Sequence, residues 1–181
     1  MKTVDVCCGT ERIYNGMQEV LGDDFITLDV RKLDVALNYA SRYTPIKIKI
    51  DPDILSDMRT LPFPNKTVGA IVCDPPHLKF GLSSFMAKQY GSWSEKETID
   101  IMKVANIEFA RILNDTGHLF LKIMPERKDL FMKTLTHFRF FLEIPTVKRN
   151  GADQKQGATW YVGEVAINAN RSIKEGENHG K

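Results

Sequence analysis

Apolar residues recur along this chain in short runs that alternate with longer segments of helical periodicity. The short runs predict strands at residues 4–8, 25–29, 53–56, 68–73 and 118–124. The longer segments predict helices at residues 13–21, 33–43, 94–113 and 127–138. Two more apolar runs, at 140–147 and 159–167, have no helix between them. The pattern therefore predicts an α/β fold with a mostly parallel seven-stranded sheet and an antiparallel strand near the C-terminus.

Two segments carry additional local signals. The stretch Ser94-Glu95-Lys96-Glu97 has the spacing of a capping box, so we expect the long helix to begin there. The stretch IKIKI, at residues 46–50, alternates as an exposed strand would, but Asp51-Pro52-Asp53 interrupts it.

Composition is that of an ordinary globular protein. The 181 residues are 43% hydrophobic and 27% charged, which suits one domain with a substantial core. We expect that domain at residues 1–167, with a polar, mobile tail at 168–181. The formal charge of +2 permits a nucleic-acid partner without requiring one. We see neither a signal-peptide pattern nor a transmembrane run, so we expect no membrane association and a cytoplasmic location.

The three cysteines do not form a disulfide pattern. Cys7, Cys8 and Cys73 lie in apolar runs, where reduced and buried thiols are the expected state. No spacing resembles a metal site, and we expect no bound metal.

Acidic residues recur where the predicted strands end. Asp5 lies in the first strand, Asp29 ends the second, and Asp57 and Asp74 follow the third and fourth. The fifth strand carries Lys122. Ligands of open parallel sheets bind at the carboxyl ends of the strands. The first turn, Cys7-Cys8-Gly9-Thr10, lacks both the P-loop spacing and the glycines of a dinucleotide fingerprint. These features predict a nucleoside cofactor without a diphosphate, a description that S-adenosylmethionine fits.

Four motifs, in chain order, resemble those of class I S-adenosylmethionine-dependent methyltransferases. They are VDVCCGT, FITLD, DILSDMRTLPFPNKTVGAIVCDPPH and GHLFLKI. The similarity is greatest to small stand-alone bacterial, archaeal and prophage methyltransferases that carry Asp-Pro-Pro-His. The Asp-Pro-Pro element resembles that of enzymes that methylate adenine N6 or cytosine N4. The resemblance implies a three-layer Rossmann-like fold and S-adenosylmethionine as the cofactor.

The same resemblance implies a role for individual positions. Asp5 would order the first turn and the amino group of the cofactor, and Gly9 would let the backbone approach the methionine portion. Asp29 would bind the ribose hydroxyls, while Asp57 and the backbone of Met58 would bind adenine. Cys7 lies among these cofactor-binding positions, although packing is its default interpretation. Asp74, Pro75, Pro76 and His77 would face the methyl acceptor, and Asp74 would also border the cofactor.

Two positions depart from the family pattern. Glu11 stands where the last glycine of the first turn is usual, and His77 stands where an aromatic residue is more common. His77 could stack on a base or could be a turn histidine that bonds the backbone, and the sequence favours neither.

The chemistry of an exocyclic amine explains why Asp-Pro-Pro would suit it. The lone pair of such a nitrogen is delocalised into the ring, which makes it a poor nucleophile. Asp74 could accept one N–H and the Pro75 carbonyl another, and this would localise the lone pair toward the methyl donor. The two prolines fix φ and keep these acceptors aimed. The predicted catalysis is positioning and electrostatics rather than deprotonation.

Further residues are candidates for contact with a substrate. They are Tyr90, Trp93, Lys122 and Trp160, together with the loop 148–156. Tyr90 and Trp93, the two aromatic residues of KQYGSW at positions 88–93, could stack on a base or could fasten a loop to the core. Residues 122–155 contain eight Lys/Arg against four Asp/Glu, which predicts either a backbone-binding edge or a solvated face.

Three hypotheses follow for the function. The first is a methyltransferase acting on a nucleic-acid base, with adenine N6 favoured and cytosine N4 second. We expect no separate recognition domain in this chain, so that it would need a partner, a homodimer or a structured RNA read by shape. The second is methylation of a protein side-chain amide or a small molecule. The third is a catalytically silent module that binds the cofactor and regulates a partner.

Overall fold

The computed structural model describes residues 1–10, 24–37, 45–76, 84–150 and 153–166. These ranges contain nine strands: β1 (Lys2–Asp5), β2 (Phe25–Asp29), β3 (Leu33–Leu37), β4 (Ile46–Ile50), β5 (Ile54–Leu55), β6 (Val68–Cys73), β7 (Leu113–Ile123), β8 (Phe138–Asn150) and β9 (Asp153–Val165). They also contain three α-helices: α1 (Phe85–Tyr90), α2 (Glu95–Ile112) and α3 (Lys128–Met132).

Seven of the strands form one sheet in the order β5-β2-β1-β6-β7-β9-β8. The neighbours from β5 to β7 pair in parallel, whereas β9 is antiparallel to both β7 and β8. This confirms the mostly parallel sheet with an antiparallel strand near the C-terminus. From the centre, the chain builds outward through β2 on one side of β1 and through β6 on the other. The sheet therefore has its topological switch point between β1 and β6, where ligands of such folds bind.

The core lies against the central strands. Strand β6 is the apolar run VGAIVC, and Val68, Ile71 and Cys73 have no solvent exposure. Helix α2 covers one face of the sheet with Met102 and Phe109, which are also fully buried. A strand in the middle of a parallel sheet is covered on both faces, which is why its sequence is continuously apolar.

The predicted start of the long helix is confirmed. Ser94 Oγ accepts a hydrogen bond from Glu97 N at 3.2 Å, and Glu97 Oε2 accepts one from Ser94 N at 2.7 Å. This reciprocal pair is a capping box, which satisfies two backbone donors that the first helical turn would leave open. It fixes where α2 begins, directly after the segment that holds Tyr90 and Trp93.

The predicted helix at residues 33–43 is wrong over its described part. Residues 33–37 form β3, which pairs antiparallel with β4, from Leu33 opposite Ile50 to Leu37 opposite Ile46. The two strands form a small separate sheet in which Ile48 and Ile50 are buried. The i, i+4 spacing of Leu33 and Leu37 fits a helix as well as a strand. The pairing with IKIKI selects the strand. Residues 38–44 lie outside the described residues.

Other boundaries differ from the prediction. The third sheet strand is shortened to β5. The strand predicted at 118–124 begins earlier, because residues 113–117 already belong to β7. The helix predicted at 127–138 is a 3₁₀ turn at Pro125–Arg127 followed by the five residues of α3. Strands β8 and β9 exceed their predicted lengths, because the hairpin extends past the part that packs on the core. The predicted helix at 13–21 and tail at 168–181 lie outside the described residues.

A salt-bridged pair on α2 fastens the segment between β5 and β6. The Arg111 guanidinium donates to the carbonyls of Leu61 and Phe63 at 3.0 and 2.8 Å, and Glu108 Oε1 accepts from Leu61 N at 2.6 Å. Arg111 and Glu108 also pair with each other at 2.7 Å. Asp57 and Met58 belong to the same segment, a few residues before the bonded Leu61.

Candidate active site

A cavity of about 240 Å³ opens at the carboxyl ends of β1, β2, β5 and β6. Its lining residues come from the turns after these four strands and from the segment around α1 and α2. They are Val6, Cys7, Cys8, Gly9, Thr10, Asp29, Val30, Arg31, Ser56, Asp57, Met58, Arg59, Asp74, Pro76, Tyr90, Gly91, Trp93 and Ile101. The cavity therefore lies at the topological switch point, as the sequence predicts for a ligand site.

The side chain of Asp5 stabilises the turn after β1. This side chain has no solvent exposure, and its Oδ1 accepts a hydrogen bond from Cys7 N at 3.1 Å. Asp5 does not line the cavity, but it shapes the turn that does. Gly9 follows with φ of 55°, a left-handed conformation that glycine adopts without strain, and donates its N–H to Asp29 Oδ2 at 3.0 Å.

Asp29 closes β2 and is 2% exposed. Beyond the bond from Gly9, its carboxylate binds both the backbone and the side chain of Arg31. Arg31 N and Nε donate to Oδ1 at 2.9 and 3.0 Å, and Arg31 Nη2 donates to Oδ2 at 3.1 Å. This carboxylate thus faces the cavity with a guanidinium bound to it.

Asp57 repeats this arrangement after β5. Arg59 N and Nε donate to Oδ1, each at 2.9 Å, and Arg59 Nη2 donates to Oδ2 at 2.6 Å. The hydrogen bond from the Arg59 side chain lowers the pKa of Asp57 below its usual value. Met58 is buried beside it and also lines the cavity. The two pairs differ in exposure, since the Arg59 side chain is 48% exposed and that of Arg31 is 27% exposed.

The three cysteines are free thiols, as the sequence predicts. The sulfur atoms of Cys7 and Cys73 lie 3.7 Å apart, across the ends of β1 and β6. The hydrogen bond with Cys73 and burial together raise the pKa of the Cys7 thiol well above its usual value. Cys7 lines the cavity as a neutral thiol at neutral pH, and a neutral thiol is a weak nucleophile.

Asp74 directly follows β6 and forms an ion pair with Lys122 of β7. Lys122 Nζ lies 2.7 Å from Asp74 Oδ2, and both side chains are more than four-fifths buried. Lys122 Nζ also lies 5.6 Å from the centroid of the Trp160 ring, the residue opposite it on β9. Lys122 therefore contacts a cavity residue, Asp74, and Trp160 lies behind Lys122. Neither Lys122 nor Trp160 lines the cavity.

The two prolines join this strand end to the segment before α2. Pro75 is buried and Pro76 lines the cavity. A Cβ placed on Gly91, whose φ is 79°, would lie 2.8 Å from Pro76 Cγ. Gly91 therefore permits a close approach that brings Tyr90 and Trp93 to the cavity wall. His77 lies outside the described residues.

Tyr90 and Trp93 both line the cavity, with different packing. Tyr90 is 43% exposed, whereas Trp93 is partly buried and packs against the main core. Trp93 therefore fastens this segment to the core and borders the cavity with the same side chain. Of the two aromatic rings, that of Tyr90 is therefore the more accessible to a ligand.

The basic residues between positions 122 and 155 are partly neutralised. Lys122 pairs with Asp74, Lys128 with Glu143 and Arg139 with Glu164. The last two are exposed pairs, which contribute little to stability. All three pairs reduce the charge available to a phosphate backbone. The predicted loop 148–156 is wrong over its described part, because residues 148–150 and 153–156 are the paired ends of β8 and β9. Their side chains lie outside the described part of the chain.

Several cavity residues were missed by the sequence analysis. Arg31 and Arg59 are the most consequential, and the repeated spacing Asp-x-Arg was the available signal. Ile101 lines the cavity from α2 and could have been predicted only from the face of that helix. Among the described side chains, no group of three or more His, Cys, Asp or Glu could hold a metal, and no described helix is long and apolar enough to cross a membrane.

The chain matches no protein-family model and no curated protein sequence. Solved structures nevertheless share its architecture. An S-adenosylmethionine-dependent methyltransferase from Aquifex aeolicus is 12% identical, with a TM-score of 0.53 over 92% of this chain and 82% of that chain. One from Methanosarcina mazei is 12% identical, with a TM-score of 0.52 over 92% of each chain. A protein from Pyrococcus horikoshii is 12% identical, with a TM-score of 0.54 over 91% of this chain and 82% of that chain.

At these identities the comparisons establish the fold. In this fold β9 lies antiparallel between β7 and β8, and the cavity lies at the β1–β6 switch point. The chain thus has the Rossmann-like α/β fold of the class I S-adenosylmethionine-dependent methyltransferases.

Proposed function

We propose that this chain is an S-adenosylmethionine-dependent methyltransferase that acts on an exocyclic amino group of a nucleic-acid base. The observation that carries the proposal is the convergence of Asp29, Asp57 and Asp74 on one cavity at the switch point of this fold. Two of these carboxylates suit the cofactor, and the third suits the acceptor. The Asp-Pro-Pro-His resemblance supports the choice of an amine as acceptor.

The residues around the cavity fit the cofactor by their chemistry. Asp29 supplies a buried carboxylate for the ribose hydroxyls, and Asp57 and the backbone of Met58 suit the adenine ring. Gly9 leaves the first turn without a side chain where the methionine portion would approach the backbone, and Asp5 holds that turn in shape. When bound, S-adenosylmethionine supplies a methyl group activated by a positively charged sulfur.

The residues of the β6 end suit an amine acceptor. Asp74 can accept one N–H of the amine, and the Pro75 carbonyl can accept another. Lys122 holds Asp74 Oδ2 at 2.7 Å, which restricts the carboxylate to one orientation. Fixed acceptors cost no reorganisation during the reaction, which makes them effective in a partly buried site.

A nucleic-acid base also suits the walls of the cavity. Tyr90 is 43% exposed and lines the cavity together with Pro76. Stacking of a base on an aromatic ring contributes about 1–3 kcal/mol. Adenine N6 is the favoured acceptor and cytosine N4 the second. Because a base in a duplex is out of reach, the substrate is a flipped base or a structured RNA, read with a partner or a second copy of the chain.

Transfer of a tritiated methyl group tests this function. The purified protein is incubated with tritiated S-adenosylmethionine and, separately, DNA, RNA and protein extract, followed by nucleoside analysis. We expect label in nucleic acid, recovered as a methylated adenine or cytosine nucleoside. Label only in protein would support a side-chain amide acceptor instead. Cofactor binding without label in any pool would support a regulatory module and contradict the proposed activity.

A further inference from the structure

We propose that Arg31 occupies the ribose position on Asp29 and must leave it when the cofactor binds, so that Arg31 lowers the affinity for the cofactor. The inference rests on the proposed function. It concerns a residue that the motif resemblance does not include. It follows from counting the hydrogen bonds on one carboxylate.

An ionised carboxylate has about four acceptor positions. On Asp29 all four are filled by Gly9 N, Arg31 N, Arg31 Nε and Arg31 Nη2, at distances between 2.9 and 3.1 Å. Two ribose hydroxyls that donate to this carboxylate would need two of these positions. A ligand can therefore bind Asp29 only after two of the present donors have left.

The donors that can leave are those of the Arg31 side chain. The two backbone donors belong to the turns after β1 and β2, and their release would require both turns to change. The guanidinium, in contrast, ends a flexible side chain that is 27% exposed and has a path to solvent. Its fork binds both carboxylate oxygens, which is how two vicinal hydroxyls would also bind.

Release of Arg31 also changes the opposite wall of the cavity. Arg31 Nη1 donates to the Lys88 carbonyl at 3.3 Å, and it lies 3.8 Å from the position of a Cβ on Gly91. The side chain thus spans from the end of β2 to α1. If the Arg31 side chain leaves Asp29, the space that it occupies next to Tyr90 and Gly91 becomes available to a ligand.

Arg59 supplies an internal comparison. It binds Asp57 with the same fork, but its side chain is 48% exposed and that of Asp57 is 29% exposed. A more exposed pair is weaker because water screens it and competes for it. We therefore expect removal of Arg59 to change the affinity less than removal of Arg31.

The test is titration calorimetry with S-adenosylhomocysteine on the wild type, Arg31→Ala, Arg31→Gln and Arg59→Ala. Arg139→Ala removes a surface ion pair with Glu164, far from the cavity, and serves as the matched control. We expect Arg31→Ala and Arg31→Gln to bind about tenfold more tightly than the wild type, because the ligand no longer displaces a charge-assisted fork. Arg59→Ala should bind less than about threefold more tightly, and the control should be unchanged.

Three results would overturn the inference, and they are distinguishable. Weaker binding by the Arg31 variants would make the guanidinium a ligand contact, and unchanged binding would show that no exchange limits affinity; in both cases the proposed function survives. Absence of binding by every folded variant would remove the proposed function and this inference together. Thermal melting of each ligand-free variant establishes that it is folded. Arg31→Gln keeps more of the side chain than Arg31→Ala does, and it serves as the test variant if Arg31→Ala does not fold.

Discussion

Replacement of Asp74 by alanine is expected to lower methyl transfer by at least about 10²-fold while leaving the affinity for S-adenosylhomocysteine within about threefold of the wild type. Asp74 lies at the end of β6, where the acceptor would bind, and its carboxylate is oriented by Lys122. Loss of one fixed electrostatic contact to the reacting group typically costs about 10²–10³-fold in rate. Single-turnover transfer and calorimetry on the same preparation measure the two quantities separately.

The alanine change leaves Lys122 mostly buried without its carboxylate, and this could destabilise the protein. The double variant Asp74→Ala/Lys122→Met removes both charges and should show the same loss of transfer. Asp51→Ala is the matched control, because Asp51 pairs with Lys32 and Lys49 outside the cavity. Transfer at the wild-type rate by folded Asp74→Ala would contradict the role assigned to this carboxylate.

Replacement of Asp29 by asparagine is expected to weaken cofactor binding by about 100-fold or more. Asparagine keeps the shape of the side chain and one acceptor oxygen, but it loses the charge and presents an NH₂ group to a donor. Hydrogen bonds to charged groups contribute about 1.5–3 kcal/mol each, and the change affects the two that the ribose would make. Titration with S-adenosylhomocysteine measures the loss, with Asp51→Asn as the matched control.

The Asp29→Asn variant also tests whether Arg31 affects affinity through this carboxylate. If Arg31 limits affinity only through this carboxylate, adding Arg31→Ala to Asp29→Asn should give no further gain in affinity. A tenfold gain in the double variant would show that Arg31 acts elsewhere. Wild-type affinity in Asp29→Asn alone would remove Asp29 from the cofactor site.

Local signals predicted the parts of the fold that local interactions determine. The capping box at Ser94 fixed the start of α2, because both of its hydrogen bonds join residues three positions apart. The continuous run VGAIVC predicted a covered strand, and β6 is the central strand that borders the switch point. Strand ends could then be aligned along one sheet edge, which is why the acids at Asp29, Asp57 and Asp74 were found together.

Contacts between distant residues decided what the sequence could not predict. Leu33 to Leu37 have a spacing that suits a helix or a strand, and only the pairing with residues 46–50 selects β3. The guanidinium of Arg31 was not predicted on Asp29, although the Asp-x-Arg spacing was visible. An arginine two positions after an aspartate can bind that carboxylate or extend into solvent, depending on the conformation of the turn. Here the Lys88 carbonyl on α1 accepts a hydrogen bond from Arg31 and helps to hold its side chain near Asp29.

Every role proposed for this chain requires that the cavity at the β1–β6 switch point binds S-adenosylmethionine. Titration of the wild-type protein with S-adenosylhomocysteine tests it directly, and two temperatures are needed because the heat of binding changes with temperature and can vanish at one of them. We predict saturable binding of one molecule per chain. No heat at either temperature, from protein shown to be folded by thermal melting, would contradict the account.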